Sequence, residues 1–364
     1  MSLIDDQIAE IEAEIRKTQY NKATEFHIGR LKAKLAKLKR EQEKRRSARS
    51  GGEGYAVKKS GNATVAIVGY PSVGKSTILN KITNAKSETG AYDFTTLTII
   101  PGIMEYNGAK LQLLDMPGII IGASKGKGRG REVISVARSS DLILIVIDTD
   151  HYHVKPILDE LYESGIRLNT NPPNIVLTKK SKGGIDINST VKLTKLSAPM
   201  IEIILKEYRI ANASIIFRED VSVDQLIDYL SENRVYLPAL VVLNKIDLVK
   251  EARLKEIIAT IPKDLALVKI SAESNIGLDN LKDQLFRALN FIKIYLKPQN
   301  KPLETMVVKN GTNVEMLCRA IHKDFVKKFK FALVTGKSVK FTQQRVGLEH
   351  VLQDGDLVSI FLNM

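Results

Sequence analysis

The chain has 364 residues, 44% hydrophobic and 26% charged, with one cysteine and a formal net charge of +14. That length accommodates about two to three domains with a substantial core, and the lone Cys318 excludes an internal disulfide. No apolar run approaches the ~18 residues of a membrane span and the N-terminus is charged and amphipathic, unlike a signal peptide, so the expectation is a cytoplasmic protein with no membrane contact.

Charge is unevenly placed: residues 1–60 and 291–364 contribute +6 each, and the middle only +2. Basic flanks around a near-neutral centre point to a polyanion, RNA first, although a solvated surface has the same signature. Ile4, Ile8, Ile11 and Ile15 form one helical stripe, and Phe26, Leu31, Leu35 and Leu38 another. With a turn near 19–21, this predicts a helical hairpin. Arg30, Lys32, Lys34, Lys37, Lys39 and Arg40 line the second helix. They either pair with the acidic first helix or face RNA, and the RNA reading is preferred. Ser47–Lys59, rich in Ser and Gly, reads as a linker, which makes 1–60 hairpin plus linker.

Thr64–Val68 reads as a buried strand, followed by Gly69-Tyr70-Pro71-Ser72-Val73-Gly74-Lys75-Ser76-Thr77 and a helix from Ser76 to Lys81. Strand, Gly-rich loop and helix are the setting a phosphate-binding Walker A loop requires. Its amides and the helix N-terminus face phosphate oxygens. Lys75 reaches the β and γ phosphates and the Ser76 hydroxyl takes one magnesium position.

Phe94-Thr95-Thr96-Leu97-Thr98 offers hydroxyls in a loop, and Thr96 is the candidate second protein ligand to magnesium; the competing reading is a strand start using Thr for its propensity. Lys110–Leu114 is the next strand, ending on Asp115-Met116-Pro117-Gly118. Asp115 holds magnesium through water and the Gly118 N–H faces the γ phosphate. Lys75, Thr96 and Gly118 form the catalytic set. Ile119 follows where many small GTPases carry a water-orienting Gln; an aliphatic chain cannot do this, so slow intrinsic turnover is expected. Gly122–Arg131 joins four glycines to four cations; it orders around phosphate or an acidic partner, or is a solvated linker.

Strand 141–148 and helix 155–164 continue the alternation of a doubly wound α/β sheet. Asp148 and Asn244 are then 96 positions apart, far more than one crossover helix needs. Runs at Ile175–Thr178 and Ser214–Phe217, with helices at Pro199–Tyr208 and Val223–Glu232, predict an inserted α/β subdomain over 166–237. Ala239–Leu243 leads to Asn244-Lys245-Ile246-Asp247, where Asp247 accepts from guanine's ring N–H and amino group, donors that adenine lacks. Leu267–Ile270 leads to Ser271-Ala272-Glu273, whose backbone lies near the guanine oxygen. Residues 292–364 predict a small sheet around one helix over Val314–Phe325.

Together these elements resemble the developmentally regulated GTP-binding protein family, within the Obg-type group of translation-factor GTPases. The resemblance rests on Thr18–Lys37, Gly69–Thr77, Tyr92–Leu97, Asp115–Ile120 and Gly126–Arg131. Arg345–Leu348 and Leu352–Val358 resemble the ubiquitin-like TGS domain. The likeness spans the chain end to end. It implies an α/β P-loop NTPase G domain over 61–165 and 238–291, a helix-turn-helix hairpin over 1–60, the insert over 166–237 and a β-grasp TGS domain over 292–364. It also implies GTP/GDP and Mg2+ as ligands, K+-favoured hydrolysis, association with ribosomes or structured RNA through the N-terminal helices and TGS domain, and a protein partner that stabilises or stimulates the enzyme. Ser72 stands where potassium-using relatives often carry Asn, and Ile121 where the family pattern has an acidic residue. The leading expectation is a GTPase acting in translation. The alternative is an RNA-binding scaffold whose G domain is a structural or nucleotide-sensing module with incidental hydrolysis.

Overall fold

A computed structural model describes residues 3–19, 21–49, 59–83, 100–116, 130–297 and 302–363. They divide into two compact units, Met1–Gly54 with Gly165–Tyr236, and Tyr55–Ser164 with Leu237–Met364.

The second unit is built on a six-stranded sheet in the spatial order Ala266–Lys269, Ala239–Leu243, Leu142–Ile147, Ala63–Gly69, Ala109–Asp115 and Ile100–Tyr106. All pairings are parallel except the last, an antiparallel hairpin. The middle strands are unbroken aliphatic runs because helices cover both faces: every residue of Leu142–Ile147 and Ala239–Leu243 is buried. Asn107 and Gly108 both take positive φ, 52° and 83°, as a tight hairpin turn requires. Chain order reverses beside Ala63–Gly69, so the loop after it opens at a topological switch point, where α/β sheets bind ligands. Ile67, Ile78, Leu113, Leu144, Val242 and Leu281 form the core beneath it.

The C-terminal part is a five-stranded sheet in the order Glu304–Lys309, Phe291–Leu296, Leu357–Leu362, Phe329–Thr335 and Gln344–Val346. It grasps helix Val314–Ile321, which buries Val314, Leu317 and Cys318. Asn313 caps that helix by accepting from the Met316 N–H. Burial and nearby Glu315 push the Cys318 thiol up to about 11, so it is packed and unreactive. The single helix expected over 314–325 ends early: His322 is extended, and only a short turn follows at Phe325–Lys328.

This sheet is fastened to the base of the larger one. The Asn62 side chain accepts from the Lys110 N–H and donates to the Val307 carbonyl, both at 2.8 Å. Val307 is 3% exposed within the large sheet's core. Asp141 accepts from Lys309 Nζ at 2.6 Å and from the Thr64 N–H at 2.9 Å. Burial acts to raise the Asp141 carboxyl, yet these bonds hold it below the ordinary Asp value.

In the first unit, helices Leu3–Lys17 and Glu25–Arg49 form the expected hairpin, with Asn21 Oδ1 accepting from the Ala23 and Thr24 N–H groups at the turn. Residues 165–237 supply a three-stranded sheet, Ile175–Lys179, Ala213–Phe217 and Ile185–Ser189, helices Ala198–Glu207 and Val223–Ser231, and a two-stranded stem, Ile166–Leu168 with Val235–Leu237. The hairpin and the insert share one core: Ala33 is fully buried among Ile204, Phe217 and Leu226. Gly29 lies so close that a Cβ there would stand 2.5 Å from Met200 Sδ.

The cationic face of the second helix is therefore largely engaged inside this unit. Lys32 bonds Asp224 at 2.9 and 3.0 Å, Lys37 the Glu207 carbonyl at 2.8 Å and Arg40 Glu232 at 2.9 Å. Lys39 pairs with Glu12 at 2.8 Å. Of the six cations read along this helix, Lys32, Lys37, Lys39 and Arg40 thus have partners within the unit, while Arg30 and Lys34, with Lys44 and Arg45 beyond them, are exposed. At the stem, Asp228 accepts from Arg167 Nε at 2.6 Å, Arg167 NH2 at 2.7 Å and Arg234 Nε at 2.8 Å. Both Arg167 and Asp228 are buried.

Candidate nucleotide site

The loop Gly69–Gly74 turns tightly between a buried strand and helix Lys75–Ile82, and two glycines make that possible. A Cβ on Gly69 would lie 2.1 Å from the Val146 carbonyl, and one on Gly74, at φ +90°, 2.3 Å from Asn244 Nδ2. Ser72 takes a positive φ of 61° without being glycine, and Pro71 and Ser72 are exposed at the rim. Val73 is fully buried beneath the loop.

Lys75 is 8% exposed. Its Nζ donates to the Tyr70 carbonyl at 2.8 Å and the Gly69 carbonyl at 3.3 Å. Burial lowers its pKa, and the charge of Asp115 opposes that shift. Ser76, at the helix start, donates its hydroxyl hydrogen to Asp115 Oδ2. One hydroxyl and one carboxylate thus converge beside the loop, and Met116 continues the strand end with its N–H on the Ile67 carbonyl at 3.2 Å. Thr77 follows, half-buried, on the first turn of the helix.

Asn244 links the Gly69–Gly74 loop to the Ser271–Glu273 turn. Its Nδ2 donates to the Val73 carbonyl at 2.9 Å and its Oδ1 accepts from the Ala272 N–H at 3.0 Å. Lys245, in left-handed backbone at φ 61°, donates to the Ser72 carbonyl at 2.9 Å and to Asp148 Oδ2 at 2.6 Å. Asp247 and Glu273 are exposed, whereas Ser271 and Ala272 are buried. Of the residues singled out in the sequence, the described ones from 69–77, 115–116, 244–247 and 271–273 therefore gather at the carboxyl ends of adjacent strands. Phe94, Thr95, Thr96, Leu97, Thr98, Pro117, Gly118 and Ile119 lie outside the described residues, as does the basic loop as far as Arg129.

Asp148 marks only the end of a strand in the sequence. It is 1% exposed and directly contacts Lys245. Its sequence signal is an acidic residue closing the apolar run Leu142–Ile147, as Asp115 closes Lys110–Leu114.

A mostly parallel sheet with a Gly-rich phosphate loop at its switch point, an Asn-Lys-Ile-Asp loop after strand Ala239–Leu243 and a C-terminal β-grasp sheet define a P-loop GTP-binding protein. The family described as "50S ribosome-binding GTPase" matches residues 64–179, "C-terminal region of MMR_HSR1 domain" matches 182–291 and "TGS domain" matches 292–362. The chain is 47% identical to human developmentally-regulated GTP-binding protein 2, covering 98% of each chain. It is 48% identical to developmentally-regulated GTP-binding protein 1 of Xenopus laevis, covering 97% of this chain and 98% of that one. An uncharacterized GTP-binding protein of Methanocaldococcus jannaschii is 56% identical over 99% of this chain and 93% of its own length. The chain belongs to the developmentally regulated GTP-binding protein family.

Proposed function

We propose that this protein hydrolyses GTP to GDP and phosphate at the 69–77 loop, with slow intrinsic turnover, and acts in the cytoplasm on ribosomes or structured RNA during translation. The observation that carries the nucleotide reading is the Asn244 side chain, bonded at once to the phosphate loop at Val73 and to the Ser271–Glu273 turn at Ala272. That link fixes the distance between the phosphate grip and the base pocket. In this reading, chemistry belongs to 61–165 and 238–291, and docking to 1–60, 166–237 and 292–364.

Ser76 and Asp115 present the oxygen donors that suit a hard dication sharing its shell with substrate phosphate and water. Magnesium held there by Ser76 and Thr96, and by Asp115 through water, would neutralise charge on the β and γ phosphate oxygens. Lys75 exchanges its loop carbonyls for those oxygens, and the loop amides with the Gly118 N–H stabilise charge spreading over the γ phosphate as water attacks in line. The aliphatic side chain of Ile119 cannot hydrogen-bond to that water, so its orientation comes from backbone, substrate, K+ or a partner protein. Comparing turnover in potassium and sodium buffers tests the cation: equal rates remove K+ from the scheme.

Asp247 carries base identity. Asp247→Asn exchanges a pure acceptor for a group that also donates, and is expected to weaken GTP binding at least about tenfold while improving xanthosine triphosphate binding. Competition against labelled GDP measures both; unchanged guanine preference would remove Asp247 from the base pocket.

Ribosome association is expected to depend on the nucleotide. Co-sedimentation with ribosomes should be stronger with a non-hydrolysable GTP analogue than with GDP. Equal sedimentation in the two states would favour the scaffold reading, and none in either would remove the ribosome from the proposal.

A further inference from the structure

We infer that Asp148 is a positioning residue for the purine, holding the Lys245 side chain as a preformed wall of the base pocket; this rests on the guanine-nucleotide reading above. Asp148 follows strand Leu142–Ile147, and its carboxylate is almost entirely withdrawn from water. Oδ1 accepts from the backbone N–H groups of Asp150 at 3.1 Å and His151 at 2.7 Å, with His151 Nδ1 at 3.3 Å. Oδ2 accepts from Lys245 Nζ at 2.6 Å. The two amides fix the orientation of the carboxylate, and the carboxylate then fixes the ammonium.

Lys245 has a second acceptor, the Ser72 carbonyl of the phosphate loop. Its ammonium is therefore held by two acceptors, so the four-carbon stem is fixed at that end as well as at the backbone, with Asp247 two residues further along the same loop. A free lysine of this kind loses rotamer freedom when a ligand packs on it. Here the ordering is already complete, so an aromatic ring laid on the stem meets a prepared apolar surface. Burial acts to raise the Asp148 carboxyl, but Lys245 and the two amides outweigh it and hold it below the ordinary Asp value, so the partner of Lys245 is a carboxylate near neutrality. The γ phosphate is not involved. The contribution must be equal for GTP and GDP, and separate from the hydrogen bonds that distinguish guanine.

Asp148→Asn keeps the shape and an oxygen for the two amides while removing the charge. Fluorescent GDP and a fluorescent non-hydrolysable GTP analogue are titrated into wild type, Asp148→Asn, Lys245→Met and the double variant, with turnover measured at saturating GTP. The expected result is about tenfold weaker binding of both nucleotides to Asp148→Asn, turnover at saturation within about twofold of wild type, and a double variant no weaker than Lys245→Met alone. A tie that merely supports the fold would instead lower turnover together with affinity, and its effect would multiply with that of Lys245→Met. Either of those outcomes, or affinities within about twofold of wild type, overturns the inference. If Asp148→Asn does not fold, Asp148→Ser, which can still accept from the amides, is judged by the same criteria. Wild-type protein that folds but binds no guanine nucleotide would instead fail the parent reading.

Discussion

Lys75→Ala is expected to reduce GTP turnover at least about hundredfold, the cost of removing one charge-stabilising donor from a phosphoryl-transfer site. Lys75 is buried. An ammonium withdrawn from water needs acceptors, and in the described site these are the Tyr70 and Gly69 carbonyls at the mouth of the loop. No other side chain of the Gly69–Ser76 loop is positively charged, so alanine leaves only the amides and magnesium to meet the spreading phosphate charge. The helix Lys75–Ile82 should tolerate the change, because alanine is the best helix former and the Ile78, Leu79 and Ile82 contacts are untouched. Phosphate release at saturating GTP, with magnesium and in both potassium and sodium buffers, measures the effect. Turnover equal to wild type would end the hydrolase proposal at this loop.

The largest stability effect is expected at Asp228. Its carboxylate is 7% exposed and lies between the guanidinium groups of Arg167 and Arg234. Asp228→Ala leaves two guanidinium groups without their shared anion, one of them, that of Arg167, buried. Breaking a buried pair in this way costs about 3–5 kcal/mol. Exposed pairs, such as Lys255–Glu251 on the helix at Glu251–Ala259, should cost under ~1 kcal/mol when broken. The loss belongs to the unit formed by the N-terminal helices and the insert, so unfolding need not be a single transition. Urea titration followed by far-UV circular dichroism should show an early loss of helix in Asp228→Ala, with nucleotide binding retained at the same denaturant concentration. Loss of both signals together would indicate that the two units unfold as one.

Much of the nucleotide site was legible because its chemistry is local. A loop that grips phosphate must follow a buried strand and open a helix, and each strand end that reaches the ligand carries a short polar signature after an apolar run. Thr64–Val68, Lys110–Leu114, Ala239–Leu243 and Leu267–Ile270 all declare themselves in that way, within a residue or two of their observed limits. Ile100–Tyr106 was harder to read, because Pro101 and Gly102 interrupt its aliphatic pattern and its partner is a single hairpin neighbour. Ile185–Ser189 alternates apolar and polar residues over only five positions, too few to separate a strand from a loop. Asp148 could be noticed but not assigned, since its partner Lys245 lies 97 positions away.

The amino-acid sequence by itself determined the class of sheet, the phosphate loop, the guanine motif and the presence of helices at the start and of a separate small sheet at the end. Each of these depends on contacts between near neighbours or on a period of two or 3.6 residues, which a linear pattern records. Only the tertiary structure decided that the N-terminal hairpin shares its core with the insert, that Lys32 and Arg40 find their carboxylates 192 positions away, and that the C-terminal sheet is bound to the base of the large one through Val307 and Lys309. A lysine facing solvent and a lysine facing a distant aspartate have the same local pattern, and only the path of the folded chain distinguishes them.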